Sequence, residues 1–173
     1  MASPLYIAQN GTYEEFLEVY DPDENDATEM LLGGLINRDP EAREKISNDM
    51  LDRGADPTVV DYGNNTVSLL LSNDEYGERD AALLQRLIDG GADVNHRTSQ
   101  GELPLRLVLF SGTDDEDCRS IYEVLFGAEN LDLELPSNVR NPINTLGGWL
   151  RLNVENRPGK LDVLDEFLKA RGY

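Results

Sequence analysis

Cysteine is almost absent: Cys118 stands alone in 173 residues. An internal disulfide is thereby excluded, and such usage fits a reducing compartment. One histidine, His96, and one tryptophan, Trp149, leave little for acid–base or cofactor chemistry. Cations are scarce too: 15 Lys and Arg face 34 Asp and Glu, for a net charge of −19. Phosphate binding needs Lys and Arg to displace counterions, so this surface repels nucleic acid and anionic lipid. No apolar run is long enough to cross a bilayer. The best, Leu103 to Phe110, is interrupted by Pro104 and Arg106. The opening Met1-Ala2-Ser3-Pro4 has neither a basic nor an apolar leader segment. A cytoplasmic location, with no membrane association, is therefore expected.

What is present is acid, unevenly placed. Residues 1–30 carry Glu14, Glu15, Glu18, Asp21, Asp23, Glu24, Asp26 and Glu29 without a single Lys or Arg. A second knot, Asp114-Asp115-Glu116-Asp117, contains no base. Such charge either keeps a protein soluble or steers basic partners towards it.

A repeat runs along the chain. Leu51-Asp52-Arg53-Gly54-Ala55-Asp56-Pro57 recurs as Leu87-Ile88-Asp89-Gly90-Gly91-Ala92-Asp93-Val94-Asn95, with Gly54 and Gly91 37 residues apart. Physically this is a helix ending on a left-handed glycine, where a Cβ would be penalised, followed by a chain reversal. Helix openings recur as Ser3-Pro4-Leu5-Tyr6-Ile7-Ala8 and Gly101-Glu102-Leu103-Pro104-Leu105-Arg106-Leu107-Val108. Weaker copies start near Thr28, Asn64 and Asn141. Proline suits the first helical turn, where its missing N–H has no partner to lose. The openings fall at positions 4, 29, 67, 104 and 142, and the last three steps are 38, 37 and 38 residues.

The second helix of each unit carries its own apolar stripe. Leu83, Leu84, Leu87 and Ile88 are spaced like Ile121, Tyr122, Leu125 and Phe126, and like Val163, Leu164, Phe167 and Leu168. Each stripe is wide enough to meet helices on two sides, so neighbouring units must stack to bury it. Thr12 with Glu15 forms a capping box. Helices are expected at 4–10, 13–20, 27–37, 40–53, 67–73, 80–89, 104–110, 117–127, 142–151 and 160–170.

Gly-Ala-Asp-Val-Asn after a leucine-rich helix, and proline-led openings in one register, resemble the ankyrin repeat. The resemblance covers nearly the whole chain, although no unit has the full Thr-Pro-Leu-His opening and the period exceeds the usual 33 or so. It implies an all-α, ankyrin-like solenoid of five helix pairs with short turn fingers. The single domain 1–173 would divide near 1–21, 22–60, 61–97, 98–137 and 138–173. It also implies binding to another protein through fingers and first helices, without catalysis.

Candidates for chemistry are few. His96 follows the Asp93-Val94-Asn95 turn and is expected at an exposed fingertip. Cys118 lies beside four carboxylates that oppose a thiolate, far from His96 in sequence. The acidic runs lack the spacing and turn glycine of a calcium loop, and no nucleophile elbow, zinc or phosphate-loop pattern occurs. No cofactor and no metal site are expected. Gly33-Gly34 and Gly147-Gly148 are assigned to close helix packing.

The contact set expected for a partner has two parts. Thr58, Asp61, Tyr62, Arg97 and Gln100 belong to the fingers, and Asp74, Glu75, Tyr76, Asp114, Asp115 and Glu116 to long loops. Trp149 is either a further contact or part of the core. Small, acidic ankyrin-like chains of this kind resemble the immunity proteins that block secreted bacterial toxins. That resemblance implies a basic toxin partner, for instance a nuclease, and a chain that is monomeric when free. An intracellular adaptor and a nucleic-acid mimic are the competing readings.

Overall fold

Side chains placed at six of the helix starts take up amides that the helix leaves unpaired. Ser3, Asp26, Asp39, Asn65 and Thr145 each accept such an amide, and Thr12 and Glu15 complete the capping box. The computed structural model describes residues 1–173 and has ten α-helices, six of which follow these signals. They are α1 (Pro4–Asn10), α2 (Tyr13–Val19), α3 (Ala27–Leu35), α4 (Pro40–Asp52), α5 (Thr66–Leu71), α6 (Glu78–Asp89), α7 (Pro104–Phe110), α8 (Arg119–Gly127), α9 (Leu146–Asn156) and α10 (Asp162–Ala170). One antiparallel hairpin, β1 (Val60–Asp61) with β2 (Asn64–Asn65), precedes α5.

The helices pack in two layers. In one, α1, α3, α5 and α7 touch in sequence; in the other, α2, α4, α6, α8 and α10 do. A continuous core of 35 apolar residues lies between them, with Leu31, Ile46, Leu70, Leu84, Leu87, Ile121 and Leu164 fully buried. The mostly helical chain is thus consistent with an all-α repeat fold. Gly33 and Gly34 let neighbouring helices approach closely. A Cβ on Gly33 would lie 2.9 Å from Leu5 Cδ1, and one on Gly34 would lie 2.9 Å from Ile46 Cγ2.

Three helix ends share one form. Gly54 and Gly91 take φ of +95° and +104°, and the next residue's amide reaches back to Met50 O and Leu87 O at 3.0 Å each. Gly172, at φ +86°, makes a third copy, with the Tyr173 amide donating to Leu168 O. At each finger base a carboxylate then turns the chain: Asp56, Asp93 and Asp132 accept the amides of Thr58, Asn95 and Glu134.

Two ladders of asparagines tie neighbouring units together. Asn37 Nδ2 donates to Ala8 O and Gly11 O, and Asn73 Nδ2 donates to Leu35 O. Asn65 Nδ2 donates to Asp93 O, and Asn95 Nδ2 to Asn130 O.

The fifth pair departs from the expected register. Asn141–Pro142–Ile143 do not open a helix; Ile143 is 82% exposed. Residues 136–145 form a reversal in which Pro136 pairs with Thr145 and the Ser137 amide donates to Asn144 O. Thr145 then caps α9, which runs on to Asn156 through the segment expected as a loop.

Candidate protein-interaction surface

Three reversals stand side by side along one edge. The β1–β2 hairpin is the first. Its two loop residues, Tyr62 and Gly63, have φ of +48° and +84°, the pattern of a tight turn whose twist matches the strands. A Cβ in the left-handed region costs about 1–2 kcal/mol, which glycine avoids and Tyr62 does not. The second finger, Asn95–Gly101, braces the first: His96 Nε2 donates to Gly63 O at 2.8 Å, and the Ser99 amide donates to Asn64 Oδ1. Arg97 braces the third, its guanidinium donating to Gly101 O and to Pro136 O.

Of the expected finger contacts, Asp61, Tyr62 and Gln100 are exposed, and Tyr62 is 91% so. Thr58 is exposed but committed, its hydroxyl and amide both donating to Asp56 Oδ1. That pairing, hydroxyl first, holds the Asp56 carboxyl below the usual range. Arg97 and His96 are half-buried clips between fingers, not free side chains, because the fingers pack on one another.

The opposite edge carries the long interhelical loops. Asp74, Glu75, Asp114 and Glu116 are exposed there. Two further expectations need correcting. Tyr76 is only 7% exposed: its hydroxyl donates to Leu71 O and its amide to Thr113 Oγ1, because two successive loops fold against each other over the core. Burial pushes its phenol pKa up. Asp115 reaches across to α10, where its carboxylate accepts the amides of Val163 at 2.7 Å and Leu164 at 3.3 Å. Glu116 is drawn into a bidentate pair with Arg119, which lowers its pKa.

The Cys118 thiol is buried beneath this loop. Burial, then the charges of Asp115 and Asp117, push its pKa up to about 12. Burial and neighbouring negative charge both favour the thiol over the reactive thiolate. A polar hollow of about 450 Å³, lined by Glu78, Glu116, Asp117, Arg119 and Glu123 among others, does not include Cys118 in its walls. No group of His, Cys, Asp or Glu is gathered to hold a metal ion.

Trp149 is half-buried on α9 within a small aromatic platform. Arg106 lies 4.1 Å over its ring and 5.3 Å from that of Phe110, and the two rings meet edge-on at 5.8 Å. Arg106 itself is 8% exposed and paired with Glu102, whereas Phe110 is 62% exposed. Sequence reasoning passed over Phe110 and Arg106. The signal was the four-residue spacing of Glu102, Arg106 and Phe110, the last two on one face of α7 and Glu102 just ahead of its start.

Charge is the surface's dominant property. Nine of the 15 cations meet nine of the 34 carboxylates in ion pairs, which leaves 25 carboxylates and six cations unmatched. Two of those six, Arg97 and Arg171, are spent on backbone carbonyls.

Helices in two layers, joined by braced reversals, are consistent with an all-α repeat fold. Similarity to known proteins agrees. The chain is 37% identical over 101 residues to the ankyrin repeat protein T5 of rabbit fibroma virus (strain Kasza), which covers 57% of this chain and 21% of the relative. It is 39% identical over 98 residues to the ankyrin repeat domain-containing protein M-T5 of myxoma virus (strain Lausanne), 54% of this chain and 19% of the relative. These matches support an ankyrin-repeat relationship, and the chain spans about a fifth of the length of the curated relatives it matches. No family model matches the chain. The crystal structure of a functionally unknown protein from Leptotrichia buccalis C-1013-b superposes with a TM-score of 0.75 at 20% identity, over 99% of this chain and 95% of that one. That likeness concerns the fold alone.

Proposed function

We propose that the chain is a protein-binding module, a solenoid of five helix-pair repeats with boundaries near 1–21, 22–60, 61–97, 98–137 and 138–173. Its partner is basic, and the role that suits this best is that of an immunity protein. In that role it covers the active site of a toxin domain, for example a nuclease, inside the bacterial cytoplasm, and it is monomeric until it binds. The supporting observation is the surplus of 25 unmatched carboxylates over six cations, two of them already used by the backbone. A surface so charged repels itself and attracts cationic proteins. The proposed contacts are Asp61, Tyr62 and Gln100 on the fingers, Asp74, Glu75, Asp114 and Glu116 on the loops, and the platform at Trp149.

A second reading is an intracellular adaptor without a toxin partner. The similarity to a fifth of much longer ankyrin-repeat relatives favours it. Affinity capture from the source organism, read by mass spectrometry, separates the two. Recovery of a basic toxin domain whose activity the chain abolishes supports immunity. Recovery of a signalling or structural protein with no activity to inhibit supports the adaptor.

A further inference from the structure

Tyr62 is held where a side chain is disfavoured, and its ring is held in solvent. It is the first of two loop residues between Asp61 and Asn64, with φ +48°, and Gly63 follows at +84°. Such two-residue loops favour Asn-Gly, since asparagine tolerates left-handed backbone and glycine has no Cβ. Tyrosine strains the turn, and a ring that is 91% exposed gains no burial to offset it.

The neighbouring finger fixes this strain instead of relieving it. His96 donates to Gly63 O at 2.8 Å, and the Ser99 amide donates to Asn64 Oδ1 at 3.2 Å. A Cβ on Gly63 would come within 3.1 Å of Ser99 Cβ, so the turn has little room to change shape. Strain held in place at an exposed tip points to use.

The chemistry beside the ring says which use. Asp61 is exposed and makes no ion pair, so consecutive residues of one turn carry an exposed aromatic ring and an unpaired carboxylate. The chain's own cations lie over Tyr20, Phe110 and Trp149, and none lies over Tyr62. A guanidinium is the group that stacks on such a ring and pairs with such a carboxylate at once. We propose that Tyr62, with Asp61, anchors an arginine side chain of a basic partner protein. The inference rests on the protein-binding reading above and adds to it the residue and its contact chemistry.

The test uses the isotopically labelled chain, titrated with an Arg-Gly repeat peptide while ring and backbone resonances are followed. A Lys-Gly peptide of equal charge and a Glu-Gly peptide serve as comparators, and Tyr62→Asn is measured in parallel. Tyr62 ring and Asp61 signals are expected to move with the arginine peptide and less with the lysine peptide. Tyr62→Asn is expected to melt roughly 2–4 °C higher, as strain is relieved, and to bind the arginine peptide about two- to fivefold more weakly. Higher melting with unchanged affinity would overturn the anchor. So would shifts confined to Asp114–Asp117 with Tyr62 silent, although the acidic docking reading would survive that result. Failure of the arginine peptide to bind anywhere removes both. Lower melting of Tyr62→Asn contradicts the premise of strain.

Discussion

Arg43 and Asp80 form an ion pair in which both side chains are 1% exposed, joining α4 to α6. The guanidinium meets the carboxylate at 2.7 and 2.8 Å, and its remaining donors reach Asn37 O and Glu75 O. Asp80 also accepts the Gly77 amide at 3.0 Å. A pair so buried gains little over an apolar one, because desolvation cancels much of the attraction. Breaking it is another matter, since one charge is then left alone in the core. Asp80→Ala is expected to cost about 3–5 kcal/mol by urea unfolding. Arg43→Met with Asp80→Leu should recover most of that loss. A single-variant cost under about 1 kcal/mol would show that water reaches the site.

Elements divide into those the sequence announced and those it hid. The glycine-ended helices at Gly54 and Gly91 were legible because backbone chirality singles out that residue, and the Thr12–Glu15 box because it is local. Contacts between distant segments were not. Leu161, ahead of α10, offers no capping side chain, and Asp115 supplies the acceptor from 48 residues away. Tyr76 read as a loop tyrosine because nothing local says that its loop folds over the core. Likewise α9 starts at Leu146, because the pairing of Pro136 with Thr145 overrides the proline signal at 142.

Two outcomes follow for α10. Asp115→Ala should destabilise the chain by about 0.5–2 kcal/mol, as the loss of an N-cap does, and should raise hydrogen exchange at Val163 and Leu164. Unchanged exchange there would refute the cap. Asp165 links α10 to α9 through Arg151, and its bonds from Lys169 first and Arg151 second hold its carboxyl below the usual range. A lowered folded pKa means that its contribution is present at neutral pH. It is lost as pH falls below about 4, the ordinary aspartate value, through the folded pKa. An NMR titration of the Asp165 carboxyl with a midpoint at or above that value would contradict the link.

For the whole molecule, net −19 is the property with the widest reach. The same charge that repels within the chain attracts a cationic protein, and salt screens both over a Debye length of about 8 Å at physiological strength. The most direct measurement is therefore the kinetics of binding to the captured partner from low to high salt. It should be made with the native chain and with Asp74→Lys, Asp114→Lys and Asp117→Lys combined, which leaves the Asp115 cap intact. The association rate is expected to fall steeply with salt while dissociation changes far less. The triple variant should associate more slowly and show a shallower salt slope, with its melting unchanged or raised. An association rate flat across that range, equal for both proteins, would mean that the acidity serves solubility alone.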